Sequence, residues 1–280
     1  MIYQTKQLLK YLILTLRKIY NLFYLFLLSE NKFSNSHLKI KKNILSDRQT
    51  ILYLKNNPKV GIIRYGNSEL GLIAGNSPRT QIYNKKLGKK LVNICHFYDS
   101  NTNKKYLLAL PLDNLLSSQS NYSKRSIPNW YPGLAAKWAM RFLVKRNQIY
   151  GSPFCFRILN VIDEDMENYI QLIQSLFINR KIIYVGPLQG KNPDIPEFIS
   201  PSDIIKIPER NAFDKFDLII SKIKNLCSNY ENPLVVIVGG TTASAISFEL
   251  NISNITCYDF GQYNRLYKKY LQSKFENQEK

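Results

Sequence analysis

The chain has 280 residues, enough for one large core or two modest ones, and its hydrophobic content of 45% is that of an ordinary folded protein. Its net charge of +19 is not ordinary, and the excess lies in the first 150 residues: nine Lys/Arg face two acids in residues 1–50, sixteen face three in 51–150, and fourteen face fifteen in 151–280. A one-sided basic surface suits an anionic partner, whether nucleic acid, an acidic membrane surface or a phosphorylated substrate. Cys95, Cys155, Cys227 and Cys257 form no CxxC pair, and with His37 and His96 as the two histidines no zinc set of ordinary spacing and no His-based triad can be assembled. Scattered single cysteines fit a reducing compartment.

In chain order, residues 5–29 read as an apolar helix interrupted by Lys10, Arg17 and Lys18. The longest charge-free run, Ile19 to Leu28, falls far short of the roughly 20 residues that cross a bilayer. A secretory signal would lack the central Arg17-Lys18 pair. Lys6, Lys10, Arg17 and Asn21 share one narrow helical face, the pattern of a helix lying in a membrane interface with its cations snorkelling toward headgroups. A helix buried against the domain or in a dimer is the alternative. Residues 30–45 read as a polar linker, so the chain divides into a helix with linker (1–45) and one domain (46–280). Within that domain the reading is helix 46–56, strand 60–64, a Gly-punctuated turn into a helix, a basic helix 85–97 with Lys85, Lys86, Lys89 and Lys90, and strand 106–110. Residues 119–133 read as a loop carrying Arg125, Trp130 and Tyr131, followed by helix 134–146. Helix 166–177, strand 181–185, strand 204–207, helix 214–227, strand 233–238, helix 241–250, strand 255–258 and helix 263–274 complete the chain. Strands alternating with helices define an α/β protein with a mostly parallel sheet and helices on both faces.

In such a sheet, ligands bind beyond the carboxyl ends of the strands. Four of those ends carry polar loops, 64–69, 208–214, 239–244 and 259–263, and all emerge on one edge. The first places Arg64, Asn67 and Glu69 after a buried strand; an ordinary helix start, with Asn67 or Ser68 as N-cap and Glu69 in the first turn, explains the same residues. The third runs from a β-branched strand into Gly239-Gly240 and then Thr241, Thr242 and Ser244, where free helix N–H groups and the helix dipole favour a diphosphate. A Thr-capped turn is the plain alternative, and neither the P-loop nor the GxGxxG fingerprint is present. Asn211 and Asp214 either cap a helix or meet a sugar hydroxyl, and Asp259 could bind a sugar, a metal or a proton.

Four segments in order, Arg64-Tyr65-Gly66-Asn67-Ser68-Glu69, Asn211-Ala212-Phe213, Gly239 to Ser244, and Asp259-Phe260-Gly261, resemble the signature of the GT-D-fold glycosyltransferases, with spacing that covers about residues 50–270. The resemblance implies a Rossmann-like core, transfer of a sugar from a nucleotide-sugar donor in bacterial surface-polysaccharide or glycoconjugate assembly, and a divalent metal (Mn or Mg) at an Asp-x-Glu motif. On this chain the metal positions are Asn67 and Glu69, so one carboxylate of the motif is an amide and metal binding is weakened. Glu69 and Asp259 would then be the catalytic carboxylates, and Arg64, Gly66, Asn211, Asp214, Gly239, Gly240, Thr241, Thr242 and Ser244 the donor-binding residues. The basic first half and apolar helix suit a peripheral place on the inner face of the cytoplasmic membrane, facing an anionic, lipid-diphosphate-linked acceptor. Two other readings stay open: a basic nucleic-acid-binding protein using Lys85–Lys90, Arg125, Trp130 and Tyr131, and a degenerate relative that binds nucleotide sugars without turnover.

Overall fold

A computed structural model describes residues 2–28, 44–98, 105–112, 143–145, 148–157, 166–187 and 195–278. Most of the expected linker, the whole loop 119–133 and most of helix 134–146 lie outside the described residues. Six strands form one sheet: β1 (Gly61–Arg64), β2 (Tyr106–Ala109), β3 (Ile182–Gly186), β4 (Asp203–Lys206), β5 (Leu234–Ile237) and β6 (Thr256–Asp259). Their order across the sheet is β2-β1-β6-β5-β3-β4, and every neighbouring pair is parallel. All carboxyl ends therefore share one edge, as alternation of strand and helix implied.

Strand side chains alternate between two apolar layers, as the period of two requires. Ile63, Leu108, Val185, Val235 and Cys257 face helices α3 (Asn67–Ile73), α4 (Lys85–His96), α6 (Phe216–Cys227) and α7 (Thr241–Ile252). Ile62, Leu107, Tyr184, Val236 and Tyr258 face α2 (Asp47–Asn56), α5 (Met166–Gln174) and α8 (Tyr263–Gln278). Five strands are thus buried on both faces and read as near-continuous apolar runs, while the edge strand β4 buries chiefly Ile205 and leaves Asp203, Ile204 and Lys206 partly or fully exposed.

Local chemistry sets the helix starts. Ser46 accepts from the Gln49 N–H while the Gln49 side chain accepts from the Ser46 N–H, a complete capping box for α2. Asn84 accepts from the N–H groups of Lys86 and Leu87 to open α4. The expected helix at 214 instead begins as a 3-10 turn, Ala212–Lys215, and continues as α6, whose buried stripe is Ile219, Ile223 and Cys227. All four cysteines are free and buried.

Helix α1 (Ile2–Leu28) docks through its polar face. The Arg17 guanidinium lies 4.4 Å over the Tyr83 ring, Asn21 donates to the Tyr83 hydroxyl at 3.3 Å, and both side chains close on Gly75. Lys85 and Lys89 of α4 lie over Tyr20 and Tyr24. This departs from the expectation that Arg17 snorkels to headgroups: its charge turns toward the protein, where an aromatic ring receives it. Leu8, Leu9, Leu12, Leu16, Ile19 and Phe23 are left exposed on the other side.

The close approach of α7 to β1 depends on Gly61. A Cβ there would meet the Asn251 amide at 2.0–2.4 Å, and that amide is itself fixed by bonds to both the N–H and the C=O of Cys257. Gly61→Ala should therefore cost about 2–4 kcal/mol in chemical denaturation, from overpacking plus a broken buried amide bridge; an unchanged midpoint would show that Asn251 moves aside freely.

Candidate active site

The polar edge is organised around the ends of β1 and β6. Arg64, the last residue of β1, is 9% exposed and spends its guanidinium on three acceptors: Nε donates to the Asp259 carbonyl at 2.6 Å, Nη1 to the Pro153 carbonyl at 2.7 Å, and Nη2 lies 3.5 Å from Asp259 Oδ1. The Asp259 carboxyl also accepts from the Ser244 hydroxyl at 3.3 Å, and that hydroxyl stands 3.1 Å from the Arg64 carbonyl. Gly261, at φ +58°, lies two residues after Asp259; a Cβ there would fall 1.6 Å from Arg64 Nη2, so the guanidinium occupies the space a side chain would need.

The turn after β1 differs from the expected helix start. Gly66 is the N-cap of α3, Asn67 and Ser68 lie exposed in its first turn, and Glu69 reaches back so that Oε2 accepts the Gly66 N–H at 2.7 Å. Neither Asn67 nor Ser68 caps. Glu69 is buried, and loss of solvation, followed by the nearby Asp259 charge, pushes its carboxyl up to about 7. Burial also raises Asp259, against the opposing pull of Arg64 and of the Ser244 hydroxyl.

At the end of β5, Gly240 takes φ +55° as the N-cap of α7, with no capping side chain. The expectation of a Thr cap is corrected: Thr242 donates to Gln81 Oε1 at 3.3 Å, and Thr241 Oγ1 is buried with no hydrogen-bond partner. Gly239 packs on Ile207 beyond β4. Asn211, at φ +53°, stands before the 3-10 turn without capping it; its N–H donates to the Thr80 carbonyl at 2.9 Å and its Oδ1 accepts the Ile82 N–H at 2.8 Å. Asn211 thereby pins the α3–α4 loop across the edge, beside Gly240. Asp214 is exposed in the 3-10 turn.

The structure thus brings Arg64, Glu69, Ser244 and Asp259 into one buried cluster, and sets Gly239, Gly240, Thr241, Thr242 and Asn211 around the adjacent mouth of α7. Ser244 braces Arg64 and Asp259 inside the sheet–helix layer rather than lining that mouth. A divalent ion at Asn67 and Glu69 fits this arrangement poorly. Hard cations collect several oxygen ligands, whereas Glu69 Oε2 is committed to a backbone N–H and Asp259 is neutralised by Arg64. Among the described residues no three His, Cys, Asp or Glu side chains gather into a metal site.

Sequence reasoning missed Arg157. It ends the turn 152–157, which is clamped to the sheet edge by Arg64 through Pro153 and by Phe156, whose ring centroid lies 4.5 Å from that of Phe260. The half-buried Arg157 lies in the field of Arg64, Glu69 and Arg265, and burial, then the Arg64 charge, pulls it down to about 10. The signal was a single cation closing the apolar run Pro153-Phe154-Cys155-Phe156 after a Ser-Pro turn. The free basic stripe that a nucleic-acid reading needs on α4 is largely consumed: Lys85 and Lys89 lie over α1 rings, and Lys90 pairs with Glu249.

The architecture, a six-stranded parallel sheet sheathed by helices with its polar edge at the strand ends, is an α/β glycosyltransferase-like fold. The chain belongs to the family described as glycosyltransferase GT-D fold, which matches residues 62–279. It is 22% identical over 231 residues to a "Probable glycosyl transferase Gly" of Streptococcus gordonii; the match takes in 81% of this chain and 33% of that protein, so the chain spans about a third of its relative's length. Among solved structures, it is similar to the highly conserved domain of unknown function 1792, described as having a distinct glycosyltransferase fold, with a TM-score of 0.68 and 23% identity over 85% of each chain. It is also similar to a new glycosyltransferase of that domain class from Streptococcus sanguinis, with a TM-score of 0.69 and 20% identity over 82% of this chain and 85% of that one.

The raised Glu69 carboxyl has a stability consequence. Folded Glu69 titrates near 7 and unfolded near 4.5, so the folded state holds the extra proton between those values and stability falls as pH rises through that window. Glu69→Gln removes this dependence. Its stability relative to the parent should rise by on the order of 2 kcal/mol from pH 5 to pH 8 in EDTA-containing buffer, measured by urea denaturation; a gap that stays constant with pH would mean that Glu69 is ionised normally.

Proposed function

We propose that the chain transfers a sugar from a nucleotide-sugar donor to an acceptor presented at an anionic membrane surface. The observation that carries this reading is the mouth of α7: a glycine-lined helix start whose Thr241 hydroxyl is buried without a partner, next to the cluster of Glu69, Arg64 and Asp259. A buried unsatisfied hydroxyl beside free helix N–H groups suits a phosphate oxygen, which accepts from both. In this reading the donor's nucleotide diphosphate lies at the ends of β5 and β6 and the sugar toward β1.

Glu69 is the proton acceptor of the reaction. A carboxyl near 7 is half-ionised at neutral pH, the condition for general-base work, and its backbone bond from Gly66 fixes its orientation. Asp259 is the positioning carboxylate, engaged with Arg64 and Ser244. The remaining work is alignment of donor and acceptor together with electrostatic stabilisation of the departing nucleotide diphosphate.

Helix α1 bears on where the acceptor is held. No helix among the described residues is long and apolar enough to cross a membrane. Yet α1 turns Arg17 and Asn21 to the protein and leaves Leu8, Leu12, Leu16, Ile19 and Phe23 bare on the opposite side, while Lys6 and Lys10, on the Arg17 face, stay exposed. A helix so oriented suits the interface of an anionic bilayer, where a lipid-diphosphate-linked glycan acceptor would be held. In this reading the protein sits peripherally on the inner face of the membrane.

Two measurements test the reading. In thermal-shift screening against UDP-, GDP-, CMP- and dTDP-sugars, with and without Mn²⁺, one nucleotide series should stabilise the protein, by about 2.7 kcal/mol at a hundred times its Kd. No response from folded protein to any of them would count against a nucleotide-sugar donor. In co-sedimentation, the protein should bind vesicles containing phosphatidylglycerol at least tenfold more tightly than pure phosphatidylcholine vesicles, and the triple variant Leu8→Asp, Leu12→Asp, Leu16→Asp should lose that binding. Equal binding by the variant would remove α1 from the membrane.

A further inference from the structure

Among the described residues, the charges around the ends of β1 and β6 do not balance. Arg64 is fully committed to Asp259 and to the Pro153 carbonyl. Arg157 and Arg265 are not: among the described residues neither has a carboxylate within ion-pair distance, and the side-chain partner of Arg265 is the amide of Gln262 at 2.9 Å. The Arg157 guanidinium feels the charges of Arg64, Glu69 and Arg265. Two guanidinia beside the Arg64–Asp259 pair, Arg157 half-buried and Arg265 exposed, therefore lie without a carboxylate of their own among the described residues, and like charges held near one another repel unless an anion joins them.

The turn that carries Arg157 is built to stay where it is. Arg64 Nη1 holds its Pro153 carbonyl, Phe156 packs on Phe260, and the Arg157 N–H closes the turn on the Phe154 carbonyl at 2.6 Å. The Arg157 guanidinium leans on the Phe154 ring at 5.3 Å, which fixes its plane and leaves its donor edges free. Arg265 stands in the first turn of α8, which starts four residues after Asp259. A planar fork of fixed orientation with a second guanidinium nearby is a receptor for a tetrahedral oxyanion.

We infer that Arg157, with Arg265, forms the binding site for the sugar-side phosphate of a nucleotide-diphosphate donor, and that these guanidinia supply at the leaving group the positive charge which Asn67 and Glu69 are poorly equipped to recruit as a metal ion. The identity of the ligand rests on the nucleotide-sugar reading above; the anion site itself does not. β6 lies between β1 and β5, so a diphosphate that reaches from the mouth of α7 toward Glu69 crosses the end of β6. One phosphate then meets the α7 N–H groups and the other meets Arg157 and Arg265. When the bond to the sugar breaks, the electron pair stays on the phosphate oxygen, and the two cations are already in place to hold that charge. The arginines form no covalent bond and give up no proton.

Inorganic pyrophosphate is the probe, so the outcome does not depend on which nucleotide sugar, if any, stabilises the protein. Isothermal titration is performed in EDTA on the full chain and on Arg157→Gln, Arg157→Lys, Arg265→Gln and Lys86→Gln, the last removing a charge from basic α4. The parent should bind pyrophosphate without metal. Arg157→Gln should weaken binding at least tenfold and Arg265→Gln at least threefold, with Lys86→Gln unchanged and unliganded melting temperatures no lower than the parent's. Arg157→Lys, which keeps the charge and loses the fork, should fall between parent and Arg157→Gln, and it alone decides the matter should Arg157→Gln fail to fold. The inference is overturned by a parent that does not bind pyrophosphate or binds it only with Mn²⁺, by Arg157 variants that bind as the parent does, or by an equal loss in Lys86→Gln, which would mark diffuse attraction to the basic half.

Discussion

The contact between Arg64 and Asp259 joins the two parts of the sheet at the point where the chemistry is placed. β1 and β6 are far apart in sequence, and their backbone register sets Ile62 against Tyr258. Just beyond it, the Arg64 side chain carries the connection onward, binding both the backbone and the carboxylate of Asp259 and reaching Pro153. Two charges taken out of water cost several kcal/mol each, and their attraction returns that only where further hydrogen bonds satisfy both. Here they do: Nε and Nη1 find carbonyls, and the carboxylate finds Ser244. The rest of the edge is arranged around this clasp. Gly261 has no side chain because the guanidinium fills the space, and Ser244 is a small hydroxyl because it must fit between α7 and two strands.

The clasp also divides labour between the carboxylates. Asp259 and Glu69 are both buried and each feels the other, yet Asp259 has a cation beside it while Glu69 has chiefly one backbone N–H. Two acids with unequal support separate in proton affinity, which lets one hold geometry while the other exchanges a proton. With Arg64 inserted between β1 and β6, and Arg157 and Arg265 at its rim, positive charge is already built into the chain.

Much of this was legible in the sequence because the strands are short and apolar, five of the six are buried on both sides, and each is closed by a glycine, proline or polar residue. Those runs located all six strands within a residue or two, and alternation with helices gave their parallel arrangement. The polar strand ends were legible for the same reason. What was not legible depended on which partner a side chain meets. Thr241 and Thr242 look like caps, but the positive φ of Gly240 turns the chain so that glycine occupies the cap position. Asn211 also looks like a cap, and it bonds across to Ile82 instead. Periodicity identified the polar face of α1 without saying whether solvent, lipid or Tyr83 would receive it. Arg157 lies in a turn with no periodicity at all, and its neighbours Arg64, Glu69 and Arg265 are spread over the whole chain.

The strand order has a consequence for how the molecule is made. β6, the last strand to be synthesised, is the one that separates β1 from β5. Until residues 256–259 leave the ribosome, the β2-β1 pair and the β5-β3-β4 group each present a bare edge of unpaired backbone with apolar faces, and neither can reach the other. Parallel pairing between such distant segments is slow, since the loop must close before any contact rewards it. A nascent chain of this fold therefore waits, with exposed edges of the kind that recruit chaperones or each other, for its final insertion. Arg64 and Asp259 meet only in that step, so the carboxylate cluster forms together with the closed sheet.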